Sequence, residues 1–483
     1  MSDLILSLPE LVVLGMACVV LLACVSRRGA GLVYGLSQGT LFAALLLTIA
    51  LGSRNRGLAF HGLFVSDPLA TVLNSAILLV SMGAFVYSQD YLAARPYLSR
   101  EYFVLGLFAV LGMMVMVSAN NFLTIYLGLE LMSLSLYAMV AMHRDSAAAS
   151  EAAMKYFVLG ALASGMMLYG ISILYGVSGS LDLHTVAGSL YQHADRSLLL
   201  VFGLVFVIAG IAFKLGVVPF HMWIPDVYEG APTPVTLFLG TAPKLSGFAI
   251  AFRLLVEGME GMVADWQQML VVLAVLSMAL GNIVAIAQWN IKRMLAYSSI
   301  AHAGYILVAI LARGNLGSSA FLFYLFAYTL ATFGAFAVVV VLSGRGDRYL
   351  KIEDYAGLWT VRPWLAGSMA VFMLALLGFP IFGGIGFFAK WYMLQAALDS
   401  ITPLTNLAVL LVLTSVISAG YYLHVVLVMF MKPVSRAESE PQPAGRLTQW
   451  VIAAAAVLIL AFGIFPDPVA RLARSSVIVP IGR

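Results

Sequence analysis

The chain has 483 residues, 62% of them hydrophobic and 10% charged, with a formal net charge of +4. A soluble domain is nearer half apolar and a quarter charged, so the chain reads as an all-α polytopic membrane protein, with no sign of a nucleic-acid-binding surface. The two cysteines, Cys18 and Cys24, form no CxxC pair and stand beside no histidine, and Gly29, Gly31 and Gly35 miss the GxGxxG spacing; this argues against iron–sulfur, zinc and dinucleotide sites.

Taken in order, fourteen apolar runs lie near the roughly 20 residues that a bilayer core requires. The first three, about 4–25, 31–51 and 69–89, make an N-terminal segment over 1–100. The first is long enough to be retained as a span rather than cleaved as a signal. Runs at about 102–118, 121–142, 152–176, 198–228 and 233–256 follow, then 266–288, 293–312, 317–342, 363–398 and 404–431, and last 447–464. The seventh and twelfth exceed one crossing and are interrupted, the seventh at Gly216 and Pro219, the twelfth at Pro380, Gly383 and Gly384. Proline removes a helix N–H and clashes with the carbonyl one turn back, so a broken helix is predicted at both places. The loop 177–197, with Asp182, His184, His193 and Asp195, suits a short surface helix, and KPVSRAESEPQPAGR at 432–446 reads as a polar linker. Lys and Arg are twice as frequent in the loops after odd-numbered spans as after even-numbered ones, which predicts both termini outside the cytoplasm.

The two broken spans resemble each other, KLGVVPFH near Lys214 and LLGFPIFGGIGFFAKW near Lys390. The separation of Lys214 from Lys390 is nearly matched by that of Glu130 from His302 and by that of Lys244 from His424. Spans 4–8 (101–258) and 9–13 (265–431) are therefore predicted to be two copies of a five-helix unit. Five is odd, so the second copy is inverted; residues 432–483 add the linker, a final helix and a tail.

An ionisable residue inside a span is by default a functional group, facing the bundle interior. Glu130 stands alone in TIYLGLELMSLSLY, with Lys214 its expected partner. Lys214, Lys244 and Lys390 lie well inside their spans, and desolvation disfavours the charged form of a buried amine, the property a proton relay requires. His302, among serines and tyrosines in YSSIAHAGY, has the chemistry of a shuttle. Lys155, one turn after Glu151, is a candidate for proton uptake; Lys292 beside Trp289 is more simply a boundary anchor, and His221 and His424 are further candidates. Arg253 is expected to snorkel outward. A line of Lys, His and Glu at one depth describes a proton wire rather than a substrate pocket.

The run from Lys214 through PFHMWIPDVYEGAPTPV, with Glu130, TAPKLSG and the second break ending in FFAKW, resembles the antiporter-like membrane subunits of respiratory complex I over nearly the whole chain. The resemblance implies a proton path through Glu130, Lys214, Lys244 and Lys390, with Lys292 and His302 on the central lysine/histidine helix. It also implies that flavin, iron–sulfur clusters and quinone belong to partner subunits, that sibling antiporter-like subunits are neighbours in the bilayer, and that the location is a bacterial inner membrane. Two features separate the siblings: lysine rather than glutamate at 390, and a chain that stops about twenty residues after the last span with no long lateral helix. A Mrp-type cation/proton antiporter subunit would use the same lysines and glutamate and is the alternative reading. A scaffold without transport is the third, and the buried charges argue against it.

Overall fold

Backbone N–H and C=O groups in hydrocarbon must be paired within their own segment, and the chain meets this almost wholly as helix. The computed structural model describes the chain apart from residues 1, 26–28, 53–55, 94–99, 193–197, 344–346, 348, 381–382, 401, 435–444 and 478–483. Nine basic residues weighed for orientation (Arg27, Arg28, Arg54, Arg95, Arg196, Arg345, Arg348, Arg436 and Arg483), with His193, Asp195 and most of the 432–446 linker, lie outside the described residues.

The N-terminal segment holds α1 (Ser2–Leu6), α2 (Leu8–Val25), α3 (Ala30–Gly52) and α4 (Pro68–Ala93). Between α3 and α4 a small hairpin pairs β1 (Gly57–Ala59) with β2 (Phe64–Ser66), Leu58 opposite Val65. Spans 4 to 6 are α5 (Glu101–Val117), α6 (Phe122–Val140) and α7 (Ala147–Ser178). The loop after them carries the predicted surface helix, α8 (Leu183–Gln192). The seventh span is split into α9 (Leu198–Leu215) and α10 (Trp223–Gly230), and the eighth is built from α11 (Thr233–Leu239), α12 (Ala242–Phe252) and a π-helical turn over Arg253–Gly258. The second unit holds α13 (Val263–Ile286), α14 (Ile291–Ala312) and α15 (Gly314–Ser343); a short α16 (Leu358–Val361) leads into the twelfth span, α17 (Pro363–Leu377) and α18 (Ile385–Leu398). The thirteenth and fourteenth are α19 (Thr405–Met431) and α20 (Arg446–Ile464), followed by α21 (Asp467–Val477). Among the described residues twelve helices are long and apolar enough to cross a membrane. The shorter α5 and the split α17–α18 bring the crossings to the fourteen expected.

Local sequence explains several ends. Asn121 caps α6 by accepting from the Leu123 N–H, and Asn290 caps α14 by accepting from the N–H groups of Lys292 and Arg293. At both breaks the first half-helix ends on a leucine followed by a glycine with positive φ, Gly216 at 71° and Gly378 at 74°, a conformation that costs a side chain but not glycine. Gly384, opening α18, also has positive φ, at 51°. The spine is α12, α14 and α15, which bury most of their side chains, whereas α2, α19 and α20 expose Leu14, Leu22, Leu413, Val416 and Val457 on outward faces.

Close approach of helices repeats between the two units. A Cβ on Gly112 would stand 2.5 Å from Met132 N and 2.7 Å from Gly128 O, locking α5 on α6. A Cβ on Gly281 would stand 2.7 Å from Ala301 N and 2.9 Å from Tyr297 O, locking α13 on α14. All three positions of the first set, 112, 128 and 132, recur at one constant offset as 281, 297 and 301.

Candidate proton path

A helix that stops inside the membrane leaves carbonyls without intrahelical partners, and at each break a lysine takes one. In the first unit Trp223 Nε1 donates to Phe213 O at 3.0 Å and Lys244 Nζ to Leu215 O at 2.6 Å, while Val218 N–H is taken by Ser277 Oγ at 2.9 Å. In the second unit Lys390 Nζ donates to Leu377 O at 2.8 Å and lies 5.1 Å from the centre of the Tyr305 ring. The two lysines named from the repeat are not placed alike. Lys214 is the last but one residue before its break, whereas Lys390 lies one turn into the half-helix after it. By hydrogen-bonding role the counterpart of Lys390 is Lys244, which reaches the break from the next span.

Lys214 Nζ donates to Ser133 Oγ at 2.9 Å. Ser133 lies one turn after Glu130 on α6, so the expected Glu130–Lys214 pair is electrostatic neighbourhood rather than a closed salt bridge. Glu130 is half-buried, and its Oε1 is buried without a hydrogen-bond partner. Lys244 is 4% exposed and meets the same break: a Cβ on Gly216 would lie 3.7 Å from its Nζ. Glu130, Ser133, Lys214 and Lys244 thus form one cluster around the first break.

His302 is 3% exposed, with Nδ1 2.7 Å from Tyr324 Oη and Nε2 3.0 Å from Tyr422 Oη. Tyr422 Oη also meets Ser298 Oγ, and Asn282 joins Tyr305 Oη at 3.0 Å and Tyr421 Oη at 2.9 Å. Two water-sized cavities mark equivalent places in the two units. One beside Lys214 is lined by Ser133, Gly160, Ser164 and Gly210; the other, beside Lys390, by His302, Tyr324, Tyr328 and Gly386. His302 follows Ser133 at the same offset that relates Gly281 to Gly112, and Gly386 and Lys390 follow Gly210 and Lys214 at a single, slightly longer one.

A third polar group gathers where α7, α10 and α14 begin. Lys155 bonds Glu151 and Asp226, both at 2.7 Å, and Arg293 bonds Asp226 at 2.8 Å and Glu229 at 3.0 Å. Lys155 is 42% exposed at the side chain, so it is a rim residue and not part of the buried line.

Three expectations are corrected. Lys292 is no boundary anchor: it is 1% exposed, and its Nζ donates to Ala231 O at 2.7 Å, with Asp347 and Glu229 the nearby charges. His424 is not brought to the polar line. It is exposed on α19 while Tyr421, Tyr422 and Val425 face inward, so its spacing from Lys244 has no spatial counterpart. Arg253 does not snorkel; it is 2% exposed and held by both Asp67 oxygens at 2.9 Å, Glu257 at 3.2 Å and Val117 O at 2.9 Å. His221 lies in the first break, half-buried, with Nδ1 unpartnered. Sequence reasoning missed Ser133, the tyrosines around His302 and the Asp226–Glu229–Arg293 group. The available signal was Ser, Tyr and Asn recurring in apolar runs, where each requires a partner.

A family model described as NADH:quinone oxidoreductase/Mrp antiporter, TM, matches residues 119–418. NADH-quinone oxidoreductase subunit N of Thioalkalivibrio sulfidiphilus is 50% identical over 476 residues, covering 97% of both chains. A chain of respiratory complex I from Thermus thermophilus with bound aureothin superposes with TM-score 0.81 at 32% identity, over 96% of this chain and 99% of that one. A chain of the Mrp complex from Dietzia sp. DQ12-45-1b superposes with TM-score 0.85 at 20% identity, over 98% and 96%, a likeness of fold alone. The chain therefore belongs to the NADH:quinone oxidoreductase/Mrp antiporter transmembrane family and, within it, to the subunit N branch of NADH-quinone oxidoreductase.

Proposed function

We propose that the chain is a proton-translocating, non-redox membrane subunit of a respiratory NADH:quinone oxidoreductase in a bacterial inner membrane, a translocase moving protons along Glu130, Lys214, Lys244, His302 and Lys390. The observation that carries this is the placement of a lysine on the open carbonyl of each broken helix, the buried Lys244 on Leu215 and the half-buried Lys390 on Leu377. An amine held by one carbonyl exchanges its proton without losing its position. The Tyr324–His302–Tyr422 set supplies groups that both donate and accept beside Lys390. A charge change near Glu130 is felt at Lys214, which relays through Lys244 toward His302 and Lys390; Lys292 stands at the start of the same helix as His302. Lys155, with Glu151 and Asp226, suits proton uptake at the rim.

In this reading flavin, iron–sulfur clusters and quinone belong to partner subunits, the neighbours are other membrane subunits including sibling antiporter-like ones, and both termini are periplasmic. The test is isolation of the tagged chain in mild detergent, with NADH:quinone oxidoreductase activity and partner masses read on one sample. Co-purification with a large, active redox assembly is expected. In vesicles, Lys214→Ala is then expected to reduce proton translocation at least tenfold while the assembly stays intact. Isolation with small membrane subunits only, without redox activity, would overturn the reading in favour of a Mrp-type cation/proton antiporter.

A further inference from the structure

The N-terminal segment α2 to α4 lies outside both five-helix units, yet against α5 it buries a carboxyl. Glu10, on the first turn of α2, is 7% exposed, with Asn74 of α4 at 3% and Ser118, capping α5, at 2%. Asn74 Nδ2 donates to Glu10 Oε1 at 3.3 Å and to Ser118 Oγ at 3.0 Å, and Ser118 Oγ donates to the same Oε1 at 3.3 Å. Glu10 Oε2 and Asn74 Oδ1 are buried with no hydrogen-bond partner at all. Turning the Asn74 amide over would only set its oxygen against Oε1.

This is poor provision for an anion. Cationic donors close to about 2.7–2.9 Å on a carboxylate, as at Lys155–Asp226 (2.7 Å) and Arg253–Asp67 (2.9 Å) in this chain, whereas a neutral amide stands further off, as at Asn290–Glu229 (3.2 Å). The two side-chain donors on Glu10 are both neutral, stand at 3.3 Å and leave one oxygen bare, so beyond them only its own backbone N–H and the first turn of α2 favour a charge. No cation is at hand either. Among the described residues α2, α3 and α4 carry no Lys or Arg, and α5 is preceded by Arg100 at its opposite end. The acids of these elements are elsewhere engaged or distant. Asp67 is bound by Arg253, which is also held by Glu257; Asp3 of α1 accepts from Phe60 N at 3.0 Å; Asp90 and Glu101 lie at the far ends of α4 and α5. Leaving a buried charge unpaired costs several kcal/mol. A single proton removes the charge and supplies the donor that the two orphan acceptors lack, as an apolar site does when it keeps a carboxylic acid neutral.

We infer that Glu10 is a neutral carboxylic acid, a proton-binding site in the N-terminal bundle separate from the central path. It is placed to act on that path. Ser118, its partner, caps α5 immediately before the turn to Asn121, which starts the Glu130 helix, and the adjoining Val117 carbonyl receives Arg253 from the span that carries Lys244.

The inference does not rest on the proposed function, and its test reads the bond to hydrogen directly. Infrared difference spectra at neutral pH would compare the detergent-purified assembly that contains the chain with its Glu10→Gln variant. A protonated carboxyl C=O band, shifted in D2O and absent from the variant, is expected. Melting temperature should be unchanged in Glu10→Gln, whose amide offers the same donor, and lowered in Glu10→Ala. Identical spectra would overturn the inference. So would stabilisation by Na⁺ but not choline in the parent alone, which would mean a carboxylate holding a metal ion. Assembly of Glu10→Asp together with failure of Glu10→Gln would overturn it too, because the charge and not the donor would then be what the site requires.

Discussion

Single residues in this chain carry weight according to how completely their partners enclose them. Arg253 has each nitrogen of its guanidinium engaged, by Asp67, Glu257 and Val117 O, with 3% of its side chain exposed. Removing one partner of a buried pair leaves the other as an uncompensated charge, typically a loss of about 3–5 kcal/mol. Arg253→Leu is therefore expected to cut the amount of assembled protein severely and to lower its melting temperature, measured on detergent-purified material. Lys432 bonds Glu353 at 2.7 Å, as short as any ion pair among the described residues, but their side chains are 46% and 61% exposed. Exposed pairs contribute roughly 0–1 kcal/mol, so Lys432→Ala is expected to leave the melting temperature nearly unchanged. The ordering would be reversed if bond length rather than burial set the contribution. The sequence could not reveal this contrast, since Asp67 lies 186 residues from Arg253. An arginine near a span end reads as snorkelling until its partner is known, and Lys292 misleads for the same reason, its acceptor being a backbone carbonyl at Ala231.

At the scale of elements, what was legible in the sequence is what local physics decides. Hydrophobic runs of bilayer length mark all fourteen crossings, and glycine and proline mark both breaks, because a Pro or a positive-φ Gly acts on its own turn. What was not legible is which group fills an open carbonyl: Lys214 and Lys390 match by spacing and by cavity, but the lysines that bond the carbonyls at the breaks are Lys244 and Lys390. The helix pairs hold the clearest trace of duplication. Gly112 on Gly128 and Met132, and Gly281 on Tyr297 and Ala301, are the same contact in two copies. A leucine at either glycine would force its helix pair apart, and overpacking a filled contact costs typically about 1–3 kcal/mol. Gly112→Leu and Gly281→Leu are expected to destabilise the assembly by similar amounts, read as melting-temperature shifts. Gly165→Leu, on a glycine whose Cβ would meet nothing within 4 Å, is expected to be silent. A large effect at one of the paired glycines and none at the other would show that the two units do not share this contact.

Across the whole molecule, two polar clusters with matching cavities draw residues from the spine, one around Lys214 and Lys244 of α12 and one around Lys390 and His302 of α14. Their arrangement admits two modes of transport that single substitutions do not separate. If protons pass through both clusters in series, blocking either stops the flow, and a second block has nothing left to remove. If each cluster conducts independently, each block removes its own share and the losses combine. Residues that act as one unit show strong non-additivity, which a double-mutant cycle measures. A continuous interior favours the series mode: α14 bears Lys292 and His302, and α12, bearing Lys244, shares the same buried spine. Lys214→Ala and Lys390→Ala are each expected to lower proton translocation in vesicles at least tenfold, and the double variant to lie within about twofold of the weaker single one. Such an outcome requires the two breaks to act as one path. Partial losses that sum in the double variant would instead make each five-helix unit a conductor by itself, with the lysine–carbonyl contact at each break serving only its own half.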